Sequence, residues 1–227
     1  MTPSNAYRLK VIAEGLGDLL HDVVFVGGSV AELYADDPAA TDIRPTQDVD
    51  CIIELATYGS LQNFEALLRK RKFVNDIGSG IICRWKYNHQ TVDIMPDRDD
   101  ILGFSNQWYH PGIRHRIAYD LSPGLCIYIL PPLYYIATKI EAIKGRGGND
   151  LRFSHDFEDI IYVLNNRHDI TAIFDHETDR ALIRYIAAWA AETLARSNCR
   201  EEIECNLPYG EYDRTGHIIG ILKHFIQ

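Results

Sequence analysis

Hydrophobic residues in the first part of the chain recur first at helical spacing and then in a strand-like run. Between residues 5 and 20 the apolar positions follow helical spacing, which predicts an amphipathic helix. The next run, Val23–Val26, is β-branched and aromatic, and it stops at Gly27 and Gly28. This pattern is typical of a buried strand that ends in a tight turn.

A second strand and two helices are predicted after the turn. Ser29 is placed to N-cap a short helix over Val30–Tyr34. Residues 36–46 contain two prolines and several Asp and Thr, which indicates a loop. Asp48–Leu55 is polar at one end and apolar through its middle, as expected of a strand. The apolar stripe of Leu61–Arg71 predicts an amphipathic helix.

The remaining pattern completes a sheet and then becomes helical. Ile81–Tyr87 and Gln90–Met95 flank Asn88 and His89 and predict a hairpin, and a strand is expected at Cys126–Leu130. Helical patterns follow from Pro131-Pro132 to Lys144, over Asp156–Leu164 behind a Ser154 cap, over Asp175–Asn198 and over Asp213–Gln227. The sequence therefore predicts an α+β fold, with a small mixed sheet flanked by helices over residues 1–130 and a helical region over residues 131–227.

Composition and charge narrow the class of protein. With 227 residues, 46% hydrophobic and 24% charged, the chain has the make-up of a globular protein. The apolar runs are shorter than the ~20 residues that span a bilayer, and residues 1–10 lack signal-peptide features, so we expect a cytoplasmic protein without membrane contact. The five cysteines are expected to be buried, reduced thiols. The net charge of −9 disfavours a broad nucleic-acid-binding surface and leaves room for a local basic patch.

Three aspartates on the predicted strands are candidates for metal binding. Residues two apart on a strand project to the same face, so Asp48 and Asp50 point together. Their Cα atoms would lie roughly 6.6 Å apart, which lets two carboxylates flank ions spaced about 3.5–4 Å apart. Carboxylates held so close repel each other unless a cation lies between them. Asp93 alternates in the same way with Val92 and Ile94 on a later strand.

The glycine turn is a candidate phosphate-binding element. A strand that ends in Gly27 and Gly28 lets an anion approach the backbone closely, where amide groups and a helix N-terminus favour negative charge. The Ser29 hydroxyl can add a hydrogen bond. Magnesium prefers oxygen ligands and would bridge carboxylates to phosphates.

The order of these elements resembles the polymerase β-like nucleotidyltransferase superfamily. In that superfamily a Gly-Gly/Ser turn precedes Asp-hydrophobic-Asp, and a third acid comes from a later strand. The pattern falls here on Gly28-Ser29, Asp48, Asp50 and Asp93. Eighteen residues separate Ser29 from Asp48, several more than is typical, and we assign the excess to the intervening loop. The resemblance implies the fold of that superfamily.

A second group of charged residues lies in the helical region. Lys139 and Arg146 are seven residues apart and share a face of one predicted helix, while Asp156 and Asp159 share a face of the next. Two interpretations remain open. The cations contact phosphates and are held by the carboxylates, or the four residues form ion pairs between helices.

This second group also resembles the downstream signature of the AbiEii toxin family, the nucleotidyltransferase half of certain bacterial toxin–antitoxin and phage-abortive systems. The family pattern is Lys-x-x-Ala and an Arg, followed by Arg-Asp-x-x-Asp. The matching residues are Lys139, Ala142, Arg146, Asp156 and Asp159, with His155 where Arg is usual.

The resemblance implies a nucleoside triphosphate bound with Mg²⁺ or Mn²⁺, and transfer of a nucleotide to RNA, such as the tRNA 3′ end, or to protein. It also implies an antitoxin partner. Asp93 would activate the acceptor hydroxyl and Lys139 would contact the triphosphate. The implied site comprises catalytic and metal-binding Asp48, Asp50 and Asp93, nucleotide-binding Gly27, Gly28, Ser29, Lys139 and Arg146, and supporting Asp156 and Asp159.

Two other functions also fit the sequence. One is a transferase for a small hydroxyl compound such as an antibiotic, because an acidic protein attracts cationic substrates. The other is a nucleotide-binding or protein-binding module without turnover. A zinc site is not expected at His110 and His115, which have no acidic neighbour in the sequence.

Overall fold

The computed structural model describes residues 3–41, 43–55, 57–103, 105–147 and 150–227. The chain divides into two compact units, of which the first comprises Met1–Val30 and Arg44–Pro131 and the second comprises Ala31–Ile43 and Pro132–Gln227. The assignment of the catalytic domain to residues 1–130 and of a site-completing helical region to residues 131–227 stays a prediction.

The strands all lie in the first unit. They are β1 (Val23–Val26), β2 (Asp48–Ile53), β3 (Val74–Asn75), β4 (Arg84–Tyr87), β5 (Gln90–Pro96), β6 (Ile117–Ser122) and β7 (Leu125–Ile129). In the described residues they form one mixed sheet in the order β3-β4-β5-β2-β1-β7-β6. The α+β prediction is confirmed, although the sheet is larger than expected. The additional strands are β3 and β6, two edge strands that bury little apolar surface and therefore leave no clear pattern in the sequence.

The α-helices fall on both sides of the division. The first unit contains α1 (Asn5–Leu16), α2 (Tyr58–Lys70), α3 (Asp99–Leu102) and α4 (Tyr109–Arg114). The second contains α5 (Pro132–Gly145), α6 (His155–Asn166), α7 (Ile170–His176), α8 (Arg180–Leu194), α9 (Cys199–Glu204) and α10 (Thr215–His224). Among the helices of the described ranges, none has both the length and the apolar character that a membrane span requires.

Strand register places the aspartates. β2 and β5 are parallel, with Asp50 opposite Asp93 and Asp48 opposite Thr91. Val49 is fully buried while Asp48 and Asp50 are half-buried, which is the predicted alternation. β1 runs antiparallel to β2 with its last residue opposite Asp50. The glycine turn after β1 therefore lies at the end of the sheet where β2 begins.

The turn after β1 differs in detail from the prediction. A 3₁₀ helix covers Gly28–Tyr34, so Ser29 lies inside the helical turn instead of capping it. Gly27 has φ = 73°, a left-handed conformation that favours glycine. A Cβ on Gly27 would lie 2.8 Å from Asp50 Cβ and still closer to the carboxylate. The glycine is therefore required both by the backbone and by the neighbouring aspartate.

The hairpin between β4 and β5 was predicted at the correct turn. Asn88 and His89 both have positive φ, 44° and 63°, as a two-residue hairpin turn requires. Tyr87 pairs with Gln90, and the register carries Arg84 to the position opposite Asp93. The turn thus brings a basic residue against the third aspartate.

In the second unit, short polar side chains set the helix boundaries. Ser154 caps α6 by accepting a hydrogen bond from Phe157 N at 3.3 Å, as predicted. The helix expected over residues 175–198 is interrupted, because Asp179 accepts hydrogen bonds from Ala181 N and Leu182 N and starts α8 there. The five cysteines are free thiols as expected, but Cys126 and Cys205 are exposed.

An ion pair between buried Glu202 and half-buried Arg196 makes the stability of the second unit depend on pH. Glu202 accepts 2.6 Å hydrogen bonds from Nε and Nη2 of Arg196, and a longer one from Leu151 N. The Arg196 guanidinium lowers the pKa of Glu202 from its ordinary value of 4.5. A carboxyl whose pKa is lower in the folded state stabilises that state above pH ~4.5 and loses this effect as pH falls through the folded-state pKa.

We therefore predict that Glu202→Gln destabilises the protein at pH 7 and that the difference from wild type shrinks between pH 5 and pH 3. Urea unfolding followed by circular dichroism over this range measures it. Glu201→Gln is the matched control. Glu201 lies on α9 beside Glu202, but it pairs with Arg152 at the protein surface, where an ion pair contributes only about 0–1 kcal/mol. A difference that is the same at pH 3 and pH 7 would contradict the assignment.

Substitution of Gly27 is expected to be costly for two reasons that can be separated. Gly27→Ala adds a left-handed strain of about 1–2 kcal/mol and a clash with Asp50 that costs a further ~1–3 kcal/mol. Gly124→Ala has the same strain, φ = 78°, and meets nothing within 4 Å. Urea denaturation should show a larger loss for Gly27→Ala. Equal losses would mean that Asp50 does not pack against the turn.

Candidate functional site

The guanidinium of Arg84 joins two of the three aspartates. Arg84 Nη2 donates to Asp48 Oδ2 at 2.6 Å and to Asp93 Oδ2 at 2.7 Å, and Arg84 Nε donates to Asp93 Oδ1 at 2.8 Å. Asp48 and Asp93 therefore share one face of the sheet, as the strand alternation predicts. The pairing with Asp93 is bidentate, the geometry in which arginine binds carboxylates most specifically.

Asp50 completes the acidic face and connects it to the glycine turn. It lies opposite Asp93 in the parallel ladder, and its side chain packs against the backbone of Gly27. The three predicted aspartates and the predicted glycine turn thus come from two adjacent strands and the end of a third. Strand alternation predicted that Asp48 and Asp50 point to one face, and the binding of metal or phosphate by these residues stays a prediction.

Ser29 occupies a different environment from the one expected. The residue is fully buried, and among the described residues its Oγ has no hydrogen-bond partner. A buried hydroxyl without a partner costs about 1–3 kcal/mol. In this structure the hydroxyl does not reach solvent, and its predicted contact with phosphate stays a prediction.

Two thiols beside the aspartates remain protonated. Burial raises the pKa of Cys83 to about 11, with a further contribution from the negative charge of Asp93. Burial likewise raises the pKa of Cys51, with Asp50 and Asp93 adding to it. With no metal ion beside them, both thiols therefore stay mainly protonated at neutral pH, and a protonated thiol is a weak nucleophile. The hydrogen bonds that Arg84 donates to Asp93 raise the pKa of Arg84, so its guanidinium keeps its positive charge.

The donor set fits a hard divalent cation. Asp48, Asp50 and Asp93 provide oxygen ligands, which Mg²⁺ and Mn²⁺ prefer. A positive group already lies among them, which shows that this face favours cations. Among the described residues, the group whose ligand atoms all lie within 4.8 Å of one another is a different one, formed by Glu54, Asp97 and His110.

In that second group, Glu54 directly follows β2 and Asp97 directly follows β5, at the end of these strands opposite to the glycine turn. His110 Nδ1 is 2.5 Å from Asp97 Oδ2, and Asp97 Oδ1 accepts a hydrogen bond from Leu55 N. His110 has no acidic neighbour in the sequence, but the fold brings Asp97 to it from thirteen positions earlier. The sequence signal for this contact was Asp97 itself, an acidic residue directly after the proline that ends β5. A cavity of about 460 Å³ opens beside Glu54.

In the second unit, the predicted cations and carboxylates form a network between α5 and α6. Lys139 Nζ lies 2.6 Å from Asp159 Oδ2 and 3.2 Å from Asp156 Oδ1, and Arg146 contacts Asp156. The Lys139 side chain is 8% exposed and that of Arg146 is 72% exposed. The ion pairs between helices are therefore present, and binding of phosphate by Lys139 or Arg146 stays a prediction.

Comparison with known proteins shows a similarity of fold. The sequence matches no protein-family model and no curated protein. Its structure is similar to the crystal structure of an antigenic nucleotidyltransferase-like protein from Paracoccidioides brasiliensis, with a TM-score of 0.51 and 17% identity over 92% of this chain and 96% of that chain. This similarity does not test the predicted relationship to the AbiEii family. The chain shares the mixed α+β fold of a nucleotidyltransferase-like protein.

Proposed function

We propose that the chain is a metal-dependent nucleotidyltransferase that moves a nucleoside monophosphate from a nucleoside triphosphate to a hydroxyl group on a macromolecule, with pyrophosphate as the leaving group. The observation that carries the proposal is the common face of Asp48, Asp50 and Asp93 beside a glycine turn. The fold shared with a nucleotidyltransferase-like protein supports it.

Each residue of this face has a role in the proposal. Asp48, Asp50 and Asp93 would hold Mg²⁺ or Mn²⁺. When bound, the ion supplies charge neutralisation at the phosphates and lowers the barrier to displacement. Asp93 accepts the proton of the acceptor hydroxyl, and Gly27 and Gly28 leave the backbone open to a phosphate. Most of the catalysis is then positioning and charge stabilisation, as in phosphoryl transfer generally.

The acceptor and the biological role follow from the sequence resemblance to the AbiEii family. We propose RNA, such as the tRNA 3′ end, or protein as the acceptor, and a toxin that is neutralised by an antitoxin as the physiological context. Arg146 is the more accessible of the two predicted cations, because its side chain is largely exposed whereas that of Lys139 is buried.

Replacement of a metal ligand should abolish transfer. We expect Asp48→Asn to lower incorporation of label from α-³²P-labelled triphosphates by about 100-fold or more, since loss of one transition-state-stabilising group typically costs 10²–10³. The assay includes Mg²⁺ or Mn²⁺, each of the four triphosphates, and total RNA, tRNA, protein or an aminoglycoside panel as acceptor.

Asp120→Asn is the matched control for this assay. Asp120 is an exposed aspartate on β6, in the same unit and on a strand, away from the acidic face. It should retain wild-type incorporation. Transfer that survives Asp48→Asn would refute the proposed site, and labelling of aminoglycosides alone would assign the enzyme to small hydroxyl compounds instead.

The toxin role has its own test in cells. Induced expression of the wild-type chain in bacteria should arrest growth, and Asp48→Ala should remove the arrest because it removes catalysis. Immunoblotting confirms equal protein levels. Growth arrest that persists with Asp48→Ala would separate toxicity from nucleotide transfer.

A further inference from the structure

Arg84 is part of the acidic face, although no feature of the sequence singled it out. It makes three charge-assisted hydrogen bonds to Asp48 and Asp93. We infer that Arg84 is a built-in counter-ion that holds these two carboxylates before metal binds and competes with the divalent cation for their oxygens. The inference rests on the proposed function, because it concerns the same metal site.

Arg84 contacts three carboxylate oxygens that could also bind a metal. Both oxygens of Asp93 accept from the guanidinium, and Asp48 is held through Oδ2. Magnesium binds its oxygen ligands at about 2.0–2.1 Å. An ion at that distance from Asp48 Oδ2 and Asp93 Oδ2 would meet Arg84 Nη2, which is already 2.6 and 2.7 Å from them. The two cations therefore exclude each other from this position.

Charge makes the exclusion stronger than crowding alone. A guanidinium stays protonated in proteins and cannot relieve the repulsion by losing its proton. A divalent ion therefore has to displace Arg84 from the shared oxygens, and its affinity is reduced by whatever Arg84 contributes there.

The fold permits this displacement. Arg84 begins β4, whose pairing with β5 is made by backbone groups, so the side chain can leave without breaking the ladder. The side chain is 21% exposed and already reaches solvent. While it remains in place, it neutralises the repulsion between Asp48 and Asp93 and keeps both side chains directed towards the future metal position. Arg84 is thus a positioning residue for the metal ligands.

Manganese binding without nucleotide tests the inference directly. We expect Arg84→Met to bind Mn²⁺ roughly tenfold more tightly than wild type, because charge-assisted hydrogen bonds that compete with the ion are removed. Arg84→Lys should lie between the two, since lysine keeps the charge and loses the fork. The free Mn²⁺ signal in electron paramagnetic resonance measures each affinity.

A second readout distinguishes competition from a general structural role. Without metal, Arg84→Met should lower the midpoint of thermal unfolding, and saturating Mn²⁺ should raise that midpoint more than it does in wild type. Arg71→Met is the matched control, because Arg71 contacts Asp18 on the surface of the same unit. It should leave Mn²⁺ affinity unchanged. Asp48→Asn combined with Arg84→Met should lose the gain in affinity.

The possible results separate this inference from the function on which it rests. Tighter Mn²⁺ binding by Arg84→Met that requires Asp48 supports the inference. Binding equal to or weaker than wild type overturns it, while the wild-type affinity still supports a metal site. If neither wild type nor Arg84→Met binds Mn²⁺, both the inference and the metal-dependent function are refuted.

Discussion

Carboxylates gathered on one face of a sheet repel one another, and positive charge among them offsets this repulsion. This constraint governs the first unit. The parallel register of β2 and β5 places Asp50 beside Asp93, and the antiparallel register of β4 delivers Arg84 to the same face. The glycine turn is tied to this arrangement, because a side chain at Gly27 would displace Asp50.

The second unit satisfies the same constraint around a buried lysine. Lys139 lies between Asp156 and Asp159, and all three are buried. Buried charges are tolerated when they are paired in this way, and removal of one partner leaves the other uncompensated. A buried lysine held by two carboxylates fixes α5 against α6. Its contribution to structure is therefore clear whether or not a ligand is bound there.

Local features could be predicted from the sequence and long-range pairing could not. β1, the β4–β5 turn and the Ser154 cap are each determined by a few adjacent residues, and they lie where expected. The common face of Asp48 and Asp50 follows from strand alternation alone. The contacts of Arg84 and of His110 depend on which strands are neighbours and in what register, and nothing in the adjacent sequence specifies them. Edge strands such as β6 bury too little apolar surface to leave a clear alternation.

The order of strands in the sheet also determines when the acidic face can form during folding. β2 pairs with β5, and β1 pairs with β7. The second pairing places Val24 opposite Tyr128, although most of the sequence of the first unit lies between them. Such pairings close long loops, and proteins dominated by them fold slowly. While β5 is still inside the ribosome, Asp93 cannot meet the two aspartates of β2. The nascent polypeptide therefore remains without its acidic face until most of the first unit has emerged.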